Sequence, residues 1–111
     1  MNDEKTVSPP RHLSKEAKSW WTQIHNEFEI EDSAALLILT TAAEAFDRMR
    51  QAQQLLKKQG ATFLDRFGQV RANPATTIER DSRAAMLNAL KALNLDLEPL
   101  QERPGRPAGR K

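Results

Sequence analysis

The chain has 111 residues, of which 39% are hydrophobic and 5% aromatic, and a net charge of +2. That length leaves room for one domain at most, and the absence of cysteine excludes a disulfide framework and any thiolate metal site. The charge is uneven: residues 99–111 hold four basic and one acidic side chain, and the remainder holds thirteen basic and fourteen acidic ones. A near-neutral body with a cationic arm suits a polyanion such as DNA, although a solubilising tail has the same composition.

Residues 1–12 read as a flexible N-terminal arm. They are polar and end in Ser8-Pro9-Pro10-Arg11-His12, which does not start a helix cleanly. Met1-Asn2-Asp3-Glu4-Lys5 lacks the apolar core of a signal peptide. No run approaches the roughly 18 apolar residues of a membrane span. A soluble intracellular protein without a membrane partner is therefore expected. Ser14 is a good N-cap, and Glu16 suits the first turn. Ala17, Trp20, Trp21, Ile24 and Phe28 follow at helical spacing, which predicts a first helix over about 14–28.

The acidic link Glu29-Ile30-Glu31-Asp32-Ser33 offers Asp32 or Ser33 as the next cap. A long second helix is predicted from about 33 to 59, stopping at Gly60. One apolar stripe passes through Ala35, Leu39, Ala42, Phe46, Met49 and Leu56, and another through Ala34, Ile38, Ala45, Ala52 and Leu55. Its first half, including Leu36 and Leu37, is apolar all round. Such a helix is covered on several sides, and two short partners from one chain hardly suffice. Self-association through this helix follows as an expectation.

Between Gly60 and Asn73 the period changes. Thr62-Phe63-Leu64 and Gln69-Val70-Arg71 flank Asp65-Arg66-Phe67-Gly68, which suggests a small hairpin or an extended loop. It is too short to stand alone, so it lies on the helices or pairs with another chain. Asn73 then caps a third helix with Pro74 at its first position. Its core stripe is read as Ile78, Ala85, Met86, Ala89, Leu90 and Leu93, with a stop at Asn94. Leu95 and Leu97 are expected in a groove before Pro99. The fold class is thus mainly α: a three-helix subunit with a long central helix, a short hairpin or loop insertion, and a flexible basic C-terminal tail. Residues 13–98 form the helical oligomerisation domain and residues 99–111 a disordered basic tail. About 80 residues build the core, a size at which a lone domain is only marginally stable.

Little chemistry is available. Neither His12 nor His25 has ligand spacing to a second His or carboxylate. Glu29, Glu31 and Asp32 lack the alternating oxygens and glycine of a calcium loop and read as helix-end charges. Gly60, Gly68 and Gly105 are isolated, so no phosphate-cradling loop exists, and no cofactor is expected. Asp65 reads as a turn residue. No nucleophile–base pair is present, which argues against an enzyme. Trp20-Trp21 could stack on bases, but at this spacing one faces the core and the other packs on the second helix or a neighbouring subunit. Lys15 and Lys18, with Arg11 before them, can meet phosphates; Arg48, Arg50, Lys57 and Lys58 are further candidates. Arg103-Pro104-Gly105-Arg106-Pro107 resembles an AT-hook core, an extended Arg-bearing segment able to enter a narrow minor groove.

Taken in order, these residues resemble the small subunit of a tailed-phage terminase. The matching elements include Leu13-Ser14-Lys15-Glu16-Ala17 with Trp20-Trp21, the acidic link, and Glu44-Ala45-Phe46-Asp47-Arg48. Gly60, the Asp65–Gly68 turn and Asn73-Pro74 with Glu79-Arg80-Asp81 continue the series, which closes on Leu93–Pro99 and the Arg-Pro-Gly-Arg-Pro ending. The resemblance spans residues 9–107. It implies a non-catalytic packaging factor in the host cytoplasm that forms a homo-oligomeric ring. Its partners would be double-stranded viral DNA and the large subunit, which holds the ATPase and nuclease. On this reading Arg103, Arg106, Arg110, Lys111, Lys15 and Lys18 contact DNA, and Trp21, Leu36, Leu37, Phe46, Phe63 and Phe67 face neighbouring subunits. A helical transcription regulator, with Arg80 and Arg83 on a recognition helix, is the alternative, as is a protein-only adaptor. A nuclease fragment would need metal-dependent cleavage.

Overall fold

The computed structural model describes residues 7–95. Three helices carry the fold: α1 (Lys15–Phe28), α2 (Ser33–Gln59) and α3 (Ala75–Leu93). A two-stranded antiparallel hairpin, β1 (Thr62–Leu64) and β2 (Val70–Ala72), is inserted between α2 and α3. Leu97 and the basic tail lie outside the described residues.

Each helix is bounded by local chemistry. Ser14 sits in extended backbone and its hydroxyl accepts the N–H of Ala17 at 3.0 Å. Glu29 ends α1 in the left-handed conformation, φ 49°, and the following N–H of Ile30 returns to the carbonyl of His25. Asp32 then caps α2 by accepting the N–H of Ala35 at 3.1 Å. α2 stops at Gly60, φ 89°, and α3 at Asn94, φ 54°. Pro74 is already helical (φ −56°, ψ −22°), so Asn73 acts as the cap of α3, its side-chain oxygen accepting the N–H of Ala75.

α1 and α3 both run antiparallel to α2. Ser14 meets Asp47 and Trp21 meets Thr40 on one side, while Gln53 meets Glu79 on the other. The main core lies between α1 and the first half of α2, where Leu13, Ala17, Trp21, Ile30, Leu39 and Ala43 are buried. Trp20, Ile24, Phe28, Phe46, Leu93 and Leu95 close around it. Leu95 thus packs on the core as its alternating sequence suggests.

The α2–α3 contact is different. Ala42, Ala45 and Ala52 of α2 and Ala75 and Ser82 of α3 are buried, with Met49 the one long side chain. Small residues let two helix axes approach toward the lower end of the usual range of about 8–10 Å. The stripe read for α3 needs one correction: Ile78 is exposed, and the buried positions are Ala75 and Ser82. The bulkier apolar residues Met86, Leu90 and Leu93 are half-buried. The alanine seam of α2 therefore sets the rotation of α3 and leaves Ile78 to one side.

The hairpin register pairs Thr62 with Ala72, Phe63 with Arg71, and Leu64 with Val70. Its loop is a turn from Asp65 to Gly68 closed by the Gly68 N–H to Asp65 carbonyl bond at 2.9 Å. Gly68 follows in the left-handed region, φ 75°, which a side chain would resist. The Asp65 carboxylate organises the turn from inside. One oxygen accepts the N–H groups of Phe67 and Gln69 at 2.8 and 2.9 Å, and the other accepts Arg71 Nε at 2.9 Å.

Candidate nucleic-acid and subunit interfaces

Charged side chains fall into two groups. One group is engaged within the chain along a relay that crosses all three helices. Arg50 donates to both carboxylate oxygens of Glu16 on α1 and, at 2.8 Å, to Gln53 on its own helix. Gln53 donates to Glu79 on α3, which also receives Arg83. The Arg50 guanidinium lies 5.3 Å from the Phe46 ring centre, and Glu16 holds it charged even above its ordinary high value. Arg50, a candidate phosphate contact from the sequence, is thus occupied. Arg80 pairs with Asp81 and Arg71 with Asp65.

The second group has no acidic partner within 4 Å among the described residues. It contains Arg11, Lys15, Lys18, Arg48, Lys57, Lys58, Arg66 and Lys91. Lys15 and Lys18 stand in the first turns of α1, Lys15 exposed and Lys18 half-buried. Arg103, Arg106, Arg110 and Lys111 lie outside the described residues.

The six apolar residues expected at subunit contacts separate clearly. Trp21 is only 2% exposed, its indole N–H bonds Thr40 and its ring stacks on His25, so it has almost no surface left for a neighbour. Phe46 is half-buried and meets Trp20 edge-on at 5.4 Å, and Leu36 packs against the same core. These side chains turn inward because α1 lies on that flank of α2, a register the sequence does not display. Leu37, Phe63 and Phe67 do face outward, Leu37 at 67% and Phe67 at 74% exposure.

Phe63 and Phe67 belong to a larger patch. Leu64 and Val70, a cross-strand pair on one face of the hairpin, are 66% and 69% exposed. No residue of either strand is buried, so neither face rests on a helix. The hairpin is held from its base instead. Asn73 is buried there, its amide group donating to Gln59 and to the carbonyl of Gly60, while its backbone N–H meets Ala61 at 2.7 Å. The sequence signal for this joint is the Asn-Pro pair, which marks a helix cap but not the burial of Asn73.

Reactive geometry is sparse among these groups. The Ser14 hydroxyl donates to Asp47 while accepting from Ala17, which makes it a cap. His12 pairs with Glu44 at 2.7 Å. Among the described residues no set of three or more His, Cys, Asp or Glu side chains could hold a metal ion. No helix there is long and apolar enough to cross a membrane.

The described residues thus form a small helical domain with an apolar hairpin standing clear of its core and a set of cations without acidic partners. The family model for the small subunit of phage terminase matches residues 17–100. The chain belongs to that family, and its role lies in phage DNA packaging. No curated protein and no solved structure matched in the corresponding searches.

Proposed function

We propose that this chain is the non-catalytic small subunit of a packaging terminase, acting in the host cytoplasm. Copies associate into a ring, the ring binds double-stranded viral DNA, and it recruits or regulates the large ATPase and nuclease subunit. Family membership carries this reading. The exposed hairpin residues Leu64, Phe67 and Val70, with Leu37 on α2, support self-association, because apolar surface of this kind is stabilised by removal from water. The basic tail, helped by Lys15 and Lys18, supplies the DNA contact, and a ring multiplies weak sites into useful avidity.

The test is truncation after Pro99, with duplex affinity measured across a salt series and mass measured by light scattering. Lower affinity and a flatter salt dependence, at unchanged mass, are expected. An unchanged affinity and slope would remove the tail as the DNA contact. A monomeric full-length chain at both low and high salt would defeat the ring.

A further inference from the structure

α2 outruns its partner. α1 begins at Ser14, opposite Asp47, yet α2 continues twelve residues further to Gln59, about 18 Å at 1.5 Å per residue. α3 covers one flank of that extension, and α1 reaches it only through the Glu16–Arg50 pair. Two shallow depressions meet on the open flank. The first is lined by His12, Glu44, Arg48 and Gln51 among others, and the second by Gln51, Gln54, Leu55, Lys57 and Lys58. Gln51 belongs to both, so they form one trough along the helix.

We propose that this trough is a binding site for the phosphate backbone of duplex DNA, which rests on the packaging reading above. Its two acids are already engaged by groups of the chain: Glu44 is hydrogen-bonded to His12, and Asp47 accepts two hydrogen bonds from Ser14. Its cations Arg48, Lys57 and Lys58 have no acidic partner, and the amides of Gln51 and Gln54 make no hydrogen bond, among the described residues. Of the acids without basic partners among the described residues, Glu27, Glu29, Glu31 and Asp32 gather at the α1–α2 turn, and Asp47 lies at the head of the trough. That turn is separated from Lys58 by nearly the whole of α2, about 38 Å. Three cations stand against two acids along the trough and four unpaired acids stand at the turn, which favours a polyanion at the trough end.

Lys57 and Lys58 also answer the partial negative charge of the helix C-terminus, which disfavours an anion at the very end of α2. A phosphate chain accordingly lies on the side face between Arg48 and Lys58. That run is about 15 Å long, over which one strand presents roughly four phosphates. Lysine, arginine and amide groups beside Leu13 and Leu55 suit sugar–phosphate contacts, with no array for reading base edges.

The experiment compares the full chain with R48Q/K57Q/K58Q, using a fluorescent duplex, a salt series and light scattering. Removing three phosphate contacts is expected to weaken binding at low salt by at least tenfold. The logarithmic salt slope should fall by up to about three per engaged chain. E29Q/E31Q, at the opposite end, should bind as tightly as wild type or tighter. Wild-type affinity and slope in the triple variant would overturn the trough while leaving the packaging reading in place. No binding by the unsubstituted chain would remove both. Lost assembly at retained DNA affinity would give the trough to a second copy of the chain and overturn the proposal.

Discussion

Ser14 gives Asp47 both its backbone N–H, at 2.8 Å, and its hydroxyl, at 2.5 Å. The cap of one helix is thereby fastened to the middle of another, thirty-three positions away, so α1 is positioned as it is started. Asp47→Ala removes both acceptors at once. A loss of about 1–2 kcal/mol is expected, since two hydrogen bonds and part of a cap are weakened together. Urea unfolding checks it, and a change below about 0.3 kcal/mol would mean that Ser14 caps α1 unaided.

Asn73 is the buried joint of the second half. Its side chain donates to Gln59 and Gly60 and accepts from Ala75, linking the end of α2 to the start of α3 beneath the hairpin. Asn73→Ala leaves buried backbone groups without partners and should cost about 2–3 kcal/mol. Asn73→Asp should recover the cap to Ala75 but not the two donations, and so fall between wild type and alanine. Equal stability of the two variants would count against this division of roles.

The turn at Asp65 responds to acid. Arg71, and then the N–H of Gln69, hold its carboxyl below the ordinary value of 3.8. A depressed folded-state value means that the ionised carboxylate favours the closed turn. Its contribution is complete above the ordinary value and is lost as pH falls through the lower folded-state value. The amide NMR shifts of Phe67 and Gln69 should therefore titrate together with a midpoint under 3.8. Asp65→Asn should abolish that titration; a midpoint at or above 3.8 would exclude the stabilised carboxylate.

Leu64 and Val70 keep about two thirds of their surface in solvent. Replacing both with lysine should leave helical circular dichroism unchanged while shifting the solution mass toward smaller species, provided that the hairpin makes subunit contacts. An unaltered mass would place the contacts elsewhere, with Leu37 the next position to test.

Helix limits were legible because caps are local. Ser14, Asp32, Gly60, Asn73-Pro74 and Asn94 mark their ends with side chains and backbone angles that need no tertiary partner. The hairpin was legible as one of two options, and the Asp65–Gly68 turn decided it. What could not be read was rotation about the helix axes. Phe46 turns toward Trp20, and α3 buries Ala75 and Ser82 while Ile78 stays exposed, because of neighbours distant in sequence. The same limit hid the open flank of α2, which exists because α1 begins opposite Asp47 and runs the other way.

The alanines between α2 and α3 have a mechanical consequence. A larger side chain at Ala42, Ala45 or Ala52 would act as a wedge, opening an angle whose far end is the Asn73 joint and the hairpin above it. Missing methylenes thus act as a spacer: they hold α2 and α3 close along the seam that leads to the Asn73 joint, from which the hairpin stands.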